Sequence, residues 1–445
     1  MHVGVLTGGG DVPGLNAAIK SIYRAAKDRG WLRRGGGDAD VTGIRRGWMG
    51  AVLMSEGGSA SHLPLTDRIV RAVDRSGGTF LHTSRTRPDR MRLKDLPPGL
   101  ASRRADLPKV EGRDDLFDLT DEVIGNLRRA GIECLVAIGG DDTLGYAYTL
   151  STRGFPVVGI PKTMDNDVRG TEYALGFQTA LTRADHFINR QRTHLGSNET
   201  VGVFRLFGRN AGFTALGTAM AISDIRCAIP EQPFDLGALC RLVQKDYEEN
   251  ENHYALVCIS EGAIWQGGRL DELGPPDAYG HRKKTNVGEA LAEAITRQTG
   301  LPTRHQDLTY DLRSGNPDAF DKIAANTFGT LSIDLIARGT SGRMLCLKDG
   351  LYSHTDLPDA ARGGRAPWTW RTMTRPGSVP TSPASWAVRC FRRTRPQTPR
   401  ASRPSAGATG SRPLPPPRGS RDSQARASRG PRPCRTRRSC RGSRR

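Results

Sequence analysis

Three short polar loops carry the residues best suited to chemistry, and each follows a run of β-branched residues. The first is Thr7-Gly-Gly-Gly-Asp-Val-Pro-Gly-Leu-Asn16. Its glycines let a phosphate approach the backbone, and a following helix would offer free N–H groups and a positive dipole end. It fits neither GxGxxG nor the Gly-Lys-Ser/Thr of a P-loop. The second, Gly139-Gly-Asp-Asp-Thr143, puts two adjacent carboxylates at a strand end. That suits Mg²⁺, which prefers oxygen ligands and travels with phosphate, although an Asp N-cap would read the same way. The third, Ile160-Pro-Lys-Thr-Met-Asp-Asn-Asp167, joins a lysine to two aspartates. Such a loop can hold phosphate, orient a hydroxyl and remove its proton. Any one loop could be a solvated turn. Three together point to phosphoryl chemistry.

The segments around them must bring these loops to one place. Strands are expected at Val3–Leu6, Cys134–Ile138, Phe155–Ile160, Val201–Phe204 and Ala255–Ile259. Helices are expected at Leu15–Asp28, Leu116–Ala130, Gly176–Gln191 and Val287–Gln298. Strands alternating with helices imply parallel sheets covered on both faces, with ligands at the carboxyl ends of the strands. Residues 86–115 are polar and contain prolines, and read as a long surface loop.

The chain has 445 residues and a formal charge of +20, but the charge is unevenly placed. Residues 361–445 hold 22 Arg, no Lys and one Asp, so residues 1–360 carry about −1. A body with that balance has no field for collecting nucleic acid, and the basic tail shows no nucleic-acid-binding module. No run of 18 apolar residues suggests a membrane span, and the N-terminus lacks signal-peptide character. The eight Cys form no CxxC pair, so neither a zinc site nor a disulfide framework is indicated. A cytoplasmic protein is expected.

With these motifs in view, the chain resembles the phosphofructokinase family over roughly residues 1–350. Gly77-Gly-Thr-Phe-Leu-His-Thr-Ser-Arg85 is similar to the segment that supplies an arginine to the phosphoryl donor. Pro161–Asp167 resembles the catalytic PxTxDND signature, and Phe207-Gly-Arg209 the substrate-binding MGR with Phe for Met. Pro230-Glu231, Ser260-Glu261-Gly262, Arg304 and Tyr310-Asp-Leu-Arg313 match later elements in order. The resemblance implies an α/β fold of two doubly wound parallel-sheet domains. A donor domain would span 1–175 with a return segment at about 318–343. A sugar-phosphate domain would span 176–317 with a segment at about 344–360.

The resemblance also implies roles. Asp165 would be the base that takes the proton from the sugar 1-hydroxyl, with Thr163 and Asp167 in support. Asp141 would act on Mg²⁺. Gly9, Arg85 and Thr143 would hold the donor. Phe207, Gly208, Arg209, Glu261, Arg304, Tyr310 and Arg313 would hold fructose 6-phosphate. Where many members place a substrate arginine seven residues before MGR, this chain has Thr200, with Arg205 in the strand beyond. A homodimer or homotetramer is implied, with neighbouring subunits completing the sugar-phosphate sites.

Asp142 and Lys162 stand where ATP-using members resemble GGDGS and PGTxDND, and the pair resembles the pyrophosphate-dependent branch. A carboxylate at 142 would repel the α-phosphate of ATP, and Lys162 would neutralise a departing phosphate. The expected reaction is reversible phosphorylation of fructose 6-phosphate by pyrophosphate with Mg²⁺. An ATP-dependent kinase and a non-catalytic sugar-phosphate sensor remain as alternatives.

From about residue 361 hydrophobic periodicity stops, and 13 of the 28 Pro fall in the last 85 residues. Such composition does not bury enough apolar surface to fold. High-GC codons for residues 364–391, shifted by one nucleotide, can yield a string close to GAVDVEDYDAARFRPDLAGKLGGPMF, which resembles the family's closing segment. The tail is therefore expected to be read out of frame, the alternative being a genuine basic extension.

Overall fold

The computed structural model describes residues 1–57, 60–267, 272–273, 283–284 and 286–359. The Arg/Pro-rich tail, and with it the expectation of a shifted frame, lies outside the described residues.

The strands in chain order are β1 (Val3–Thr7), β2 (Val41–Ile44), β3 (His62–Pro64), β4 (Met91–Arg92), β5 (Lys109–Val110), β6 (Arg113–Phe117), β7 (Cys134–Gly139) and β8 (Val157–Pro161). They continue with β9 (Val201–Leu206), β10 (Arg226–Ala228), β11 (Ala255–Ser260), β12 (Glu272–Leu273), β13 (Lys283–Lys284), β14 (Thr303–Leu308), β15 (Arg343–Lys348) and β16 (Leu351–Asp356). The helices are α1 (Leu15–Asp28), α2 (Gly47–Gly57), α3 (Asp67–Val70), α4 (Pro98–Ser102), α5 (Thr120–Arg129) and α6 (Asp141–Thr152). They are followed by α7 (Phe177–Ser197), α8 (Phe213–Ile222), α9 (Leu236–Glu249), α10 (Val287–Thr299), α11 (Tyr310–Arg313) and α12 (Ala319–Ala337).

Two α/β sheets carry the fold. The larger has the order β16-β15-β8-β7-β1-β2-β3, and the smaller β10-β11-β9-β14. From β15 to β2 the larger sheet is parallel, with antiparallel strands β16 and β3 at its edges. All three pairings of the smaller sheet are parallel.

Alternation along the strands fills a core on each face. In β7, Cys134, Val136 and Ile138 face one core and Leu135 and Ala137 the other. In β9, Phe204 and Leu206 join the first core, while Val201 and Val203 face a third core against α9 and α10. Such two-sided burial explains why these strands read as continuous apolar runs.

The order reverses at β1, whose neighbours are β2 and β7. It reverses again at β9, whose neighbours are β11 and β14. The loops leaving adjacent strands diverge at such points and open a crevice. The first crevice receives the glycine loop and the Asp141-Asp142 turn. The second receives the loops after β9, β11 and β14.

Three expectations are corrected. Residues 86–115 are not a plain loop: they hold α4 and most of a small antiparallel sheet, β4-β6-β5. The helix expected from Leu116 starts at Thr120. Leu116 and Phe117 end β6, and Asp118 accepts the Thr120 amide at 2.9 Å. The segment at 344–360 does not join the smaller sheet. β15 pairs in parallel with β8 and extends the larger one, because Met344, Leu345 and Cys346 are buried there.

Asp321, in the first turn of α12, locks this arrangement. Fully buried, it accepts from the Tyr173 hydroxyl, the Gly176 amide, and the Thr179 amide and hydroxyl at 2.5–2.9 Å. These donors lie between β8 and the first turn of α7, where the chain passes from one sheet to the other. Asp321→Ala would strand all four donors, so a loss of about 3 kcal/mol or more is expected, read as a lowered denaturation midpoint.

Candidate active site

The glycine loop is fixed from three sides. The Gly8 amide donates to Ile138 O and the Gly9 amide to Ser84 O, while the Thr83 hydroxyl donates to Gly9 O at 2.6 Å. Asn16 gathers the 76–80 stretch, donating to Ser76 O and Gly77 O and accepting from the Phe80 amide. Arg85 thereby leaves a segment that runs beside the loop. Gly9 has φ +79°, and an added Cβ would lie 3.3 Å from the Lys162 ammonium. The backbone thus disfavours a side chain at this position, and one would also crowd the lysine.

Lys162 lies directly under this loop. It is 3% exposed, and its Nζ donates to Gly10 O at 2.6 Å. Burial pushes its ammonium down to about 7, helped by Arg313 and Arg85 and opposed by Asp11 and Asp165. Thr143, expected among the donor ligands, is instead 1% exposed. Its side chain fills the space against Gly8 and Gly139, so it shapes the loop from beneath.

The second and third loops meet because β7 and β8 are paired and the Lys162 amide donates to Gly139 O. Asp141 and Asp142 occupy the first turn of α6, where carboxylates complement the helix dipole. Asp165 turns back through its amide, which donates to the Thr163 hydroxyl at 3.1 Å. Among the described residues its Oδ1 is buried with no hydrogen-bond partner. Burial pushes the Asp165 carboxyl up, opposed by Arg313, Lys162 and Arg209 in that order. Next to it, Asn166 (φ +53°) donates to Glu172 O and accepts from the Ala174 amide. That pins the turn leading to Asp167.

From the smaller sheet, the Phe207-Gly208-Arg209 turn is held by contacts of backbone on backbone. Gly208 (φ +133°) would place a Cβ 2.4 Å from Ala211 O, and Gly262 one 2.0 Å from Arg209 O. Glu261 follows β11, and its amide donates to Leu206 O. Glu231 accepts the Gly212 amide ahead of α8, and Thr214 on that helix donates to Met164 O at 2.9 Å. The catalytic loop and the sugar-side loop are thereby tied together.

Arg313 spans the two crevices. Its guanidinium lies 4.4 Å from the Phe207 ring centroid, and its Nη1 is 3.3 Å from Asp11 O and packs on Gly10. Tyr310 meets Phe207 edge-on at 6.2 Å.

Gly9, Lys162, Asp165, Phe207, Gly208, Arg209, Tyr310 and Arg313 therefore converge, with Arg85 and Asp141 at the margin. Arg304 does not join them. It is exposed on the edge strand β14, four residues and about 13 Å before that strand's end. Nor does Arg205 stand in for the arginine missing at 200. Thr200 is buried and bonded to Asn198 O, and Arg205 makes a two-pronged pair with Asp307 at 2.6 and 2.8 Å.

Comparison with known proteins identifies the family. The Phosphofructokinase family matches residues 2–336. The chain belongs to the phosphofructokinase family. It is 35% identical over 350 residues to the pyrophosphate–fructose 6-phosphate 1-phosphotransferase of Amycolatopsis mediterranei, covering 78% of this chain and 91% of that one. It is also 32% identical over 362 residues to ATP-dependent 6-phosphofructokinase 3 of Streptomyces coelicolor, covering 81% and 94%. The phosphofructokinase structure from Saccharomyces cerevisiae superposes with a TM-score of 0.62 at 21% identity, over 81% of this chain and 45% of that one. The chain thus spans under half of the yeast chain, and that likeness speaks to the fold alone. Among the described residues of this phosphofructokinase family member, no helix is long and apolar enough to cross a membrane.

Residues that sequence reading did not single out include Asp11, Asn16, Arg87, Asp89, Thr214 and Asp321. Asn16 stood inside the first loop and could have been flagged as a buried amide. Arg87 and Asp89 stood in the stretch read as a loop.

Proposed function

We propose that this phosphofructokinase-family protein transfers a phosphoryl group from pyrophosphate to the 1-hydroxyl of fructose 6-phosphate, reversibly and with Mg²⁺. The observation that carries the reading is the Asp142–Lys162 combination around one glycine loop. The buried Lys162 amine is bonded to Gly10 O beneath the glycine loop, over which this reading lays a diphosphate. A carboxylate stands in the first turn of α6, where a third phosphate would extend. That both pyrophosphate- and ATP-dependent relatives match at similar identity keeps an ATP-dependent kinase as the second reading.

Mg²⁺ fits the residues present in a restricted way. Among the described residues no group of three His, Cys, Asp or Glu forms a cage. Mg²⁺ commonly uses one or two carboxylates plus substrate phosphate and water. Asp141, at the end of β7 beside the glycine loop, is the residue that would hold it. The ion would neutralise charge on the transferring phosphoryl group.

The chain's own groups supply the rest. Asp165, its Oδ1 unbonded among the described residues, takes the proton of the sugar hydroxyl, and the Thr163 hydroxyl fixes its backbone. Arg313, Arg209 and Arg85 gather negative charge on the reacting groups. Glu261 faces sugar hydroxyls, and Asp167 supports the catalytic turn. Arg304, exposed on an edge strand, is offered to a neighbouring copy, in keeping with a homodimer or homotetramer.

Lys162 gives this reading a pH signature. Its protonated form is lost as pH rises through about 7, so kcat/KM for pyrophosphate should fall above that value. A profile flat across about pH 6–8.5 would contradict it. The reading is tested in the reverse direction. Fructose 1,6-bisphosphate with inorganic phosphate and Mg²⁺ should yield pyrophosphate and fructose 6-phosphate. Failure to form pyrophosphate, with phosphorylation of ADP instead, would favour the ATP reading.

A further inference from the structure

Beside the Asp142 turn lies an ion cluster that the reaction above does not use. Arg87 is two residues beyond Arg85. Its Nε donates to Asp89 Oδ1 at 2.9 Å and its Nη2 to Asp89 Oδ2 at 2.7 Å. Both side chains are only 12% exposed. With that edge of the guanidinium occupied, the third nitrogen, Nη1, lies 3.8 Å from Asp142 Oδ1. The cluster is anchored: Pro88 is buried between the two residues, and Pro88 O accepts the Leu119 amide at 2.8 Å. A two-pronged pair of this kind has little freedom to reorient.

We infer that donor selectivity is set by the Asp89–Arg87–Asp142 triad as a unit, with Arg87 and Asp89 acting as specificity-determining positioning residues. Within the triad two carboxylates share one guanidinium, and on the donor reading it stands where a third phosphate would extend. Pyrophosphate, two phosphates long, ends before the triad, whereas ATP must pass it. Arg87 therefore tempers the repulsion from Asp142, and Asp89 sustains it by drawing on the same guanidinium. At these exposures water screens the field only in part, and a unit charge several ångströms from a phosphate still alters its binding.

The inference rests on the donor reading, and its test separates the two. The quantity to measure is kcat/KM for pyrophosphate divided by kcat/KM for ATP, each with Mg²⁺ and saturating fructose 6-phosphate. Asp89→Asn removes one negative charge with little change of shape and should lower the ratio about five- to tenfold. Arg87→Gln removes the positive charge and should raise it by a similar factor. Arg87→Lys keeps the charge and loses the fork, and should leave the ratio near the wild-type value. A structural defect would depress both numbers together and leave their ratio alone. Ratios unchanged in Asp89→Asn and Arg87→Gln, or moved in the same direction by both, would overturn the inference. So would a shift in Arg87→Lys as large as that in Arg87→Gln. A wild type that prefers ATP would refute the donor reading, yet the order of the three ratios would still decide the role of the triad.

Discussion

Replacing Asp165 by Asn is expected to lower kcat by about 10²–10⁴, the range for losing a general base, with fructose 6-phosphate binding nearly intact. The substitution keeps the shape and the backbone bond to the Thr163 hydroxyl. It removes a carboxylate oxygen that is buried and has no hydrogen-bond partner among the described residues. Burial raises the basicity of that carboxylate, while Arg313, Lys162 and Arg209 favour its charged form. Asparagine offers neither property. The check is steady-state kinetics beside equilibrium binding of fructose 6-phosphate. A variant retaining a tenth of the wild-type kcat would move the base elsewhere.

The second large effect belongs to the donor side. Two unit charges about 4 Å apart at an effective dielectric of about 20 repel by roughly 4 kcal/mol, about three decades of affinity. Arg87, 3.8 Å from Asp142, offsets part of this. Asp142→Gly should therefore raise ATP use relative to pyrophosphate by about 10- to 1000-fold. Lys162→Ala should lower kcat with pyrophosphate by about 10²-fold or more, the scale of losing one charge partner of the transition state. Its amine also ties down Gly10 O, so the glycine loop should loosen as well. Competition between ATP and pyrophosphate in a single assay reads the first effect directly. No change in the ratio for Asp142→Gly would remove Asp142 from donor selection.

Much of this site was legible in the sequence because its parts are local. Each catalytic loop is a contiguous run after a buried strand, and the apolar strands place those loops on one edge without further information. What stayed hidden depends on pairings between distant segments. Thr143 reads as a ligand by position, but packing against Gly8 and Gly139 buries it. Nothing local to Arg304 reveals that β14 is an edge strand, or that the residue sits near the wrong end of it. The union of Asp321 with donors some 140 residues away is equally invisible. So is the Arg87–Asp142 contact, because residues 86–115 carry turn chemistry and only short, weakly periodic strands. Nor does anything local show that the segment at about 344–360, assigned by resemblance to the sugar-phosphate domain, brings a strand beside β8 in the larger sheet.

The central claim is that pyrophosphate is the phosphoryl donor. It is tested most directly by side-by-side turnover of the wild-type protein with fructose 6-phosphate and Mg²⁺, using pyrophosphate in one reaction and ATP in the other. Fructose 1,6-bisphosphate should form with a kcat/KM for pyrophosphate well above that for ATP. A higher value with ATP would contradict the account.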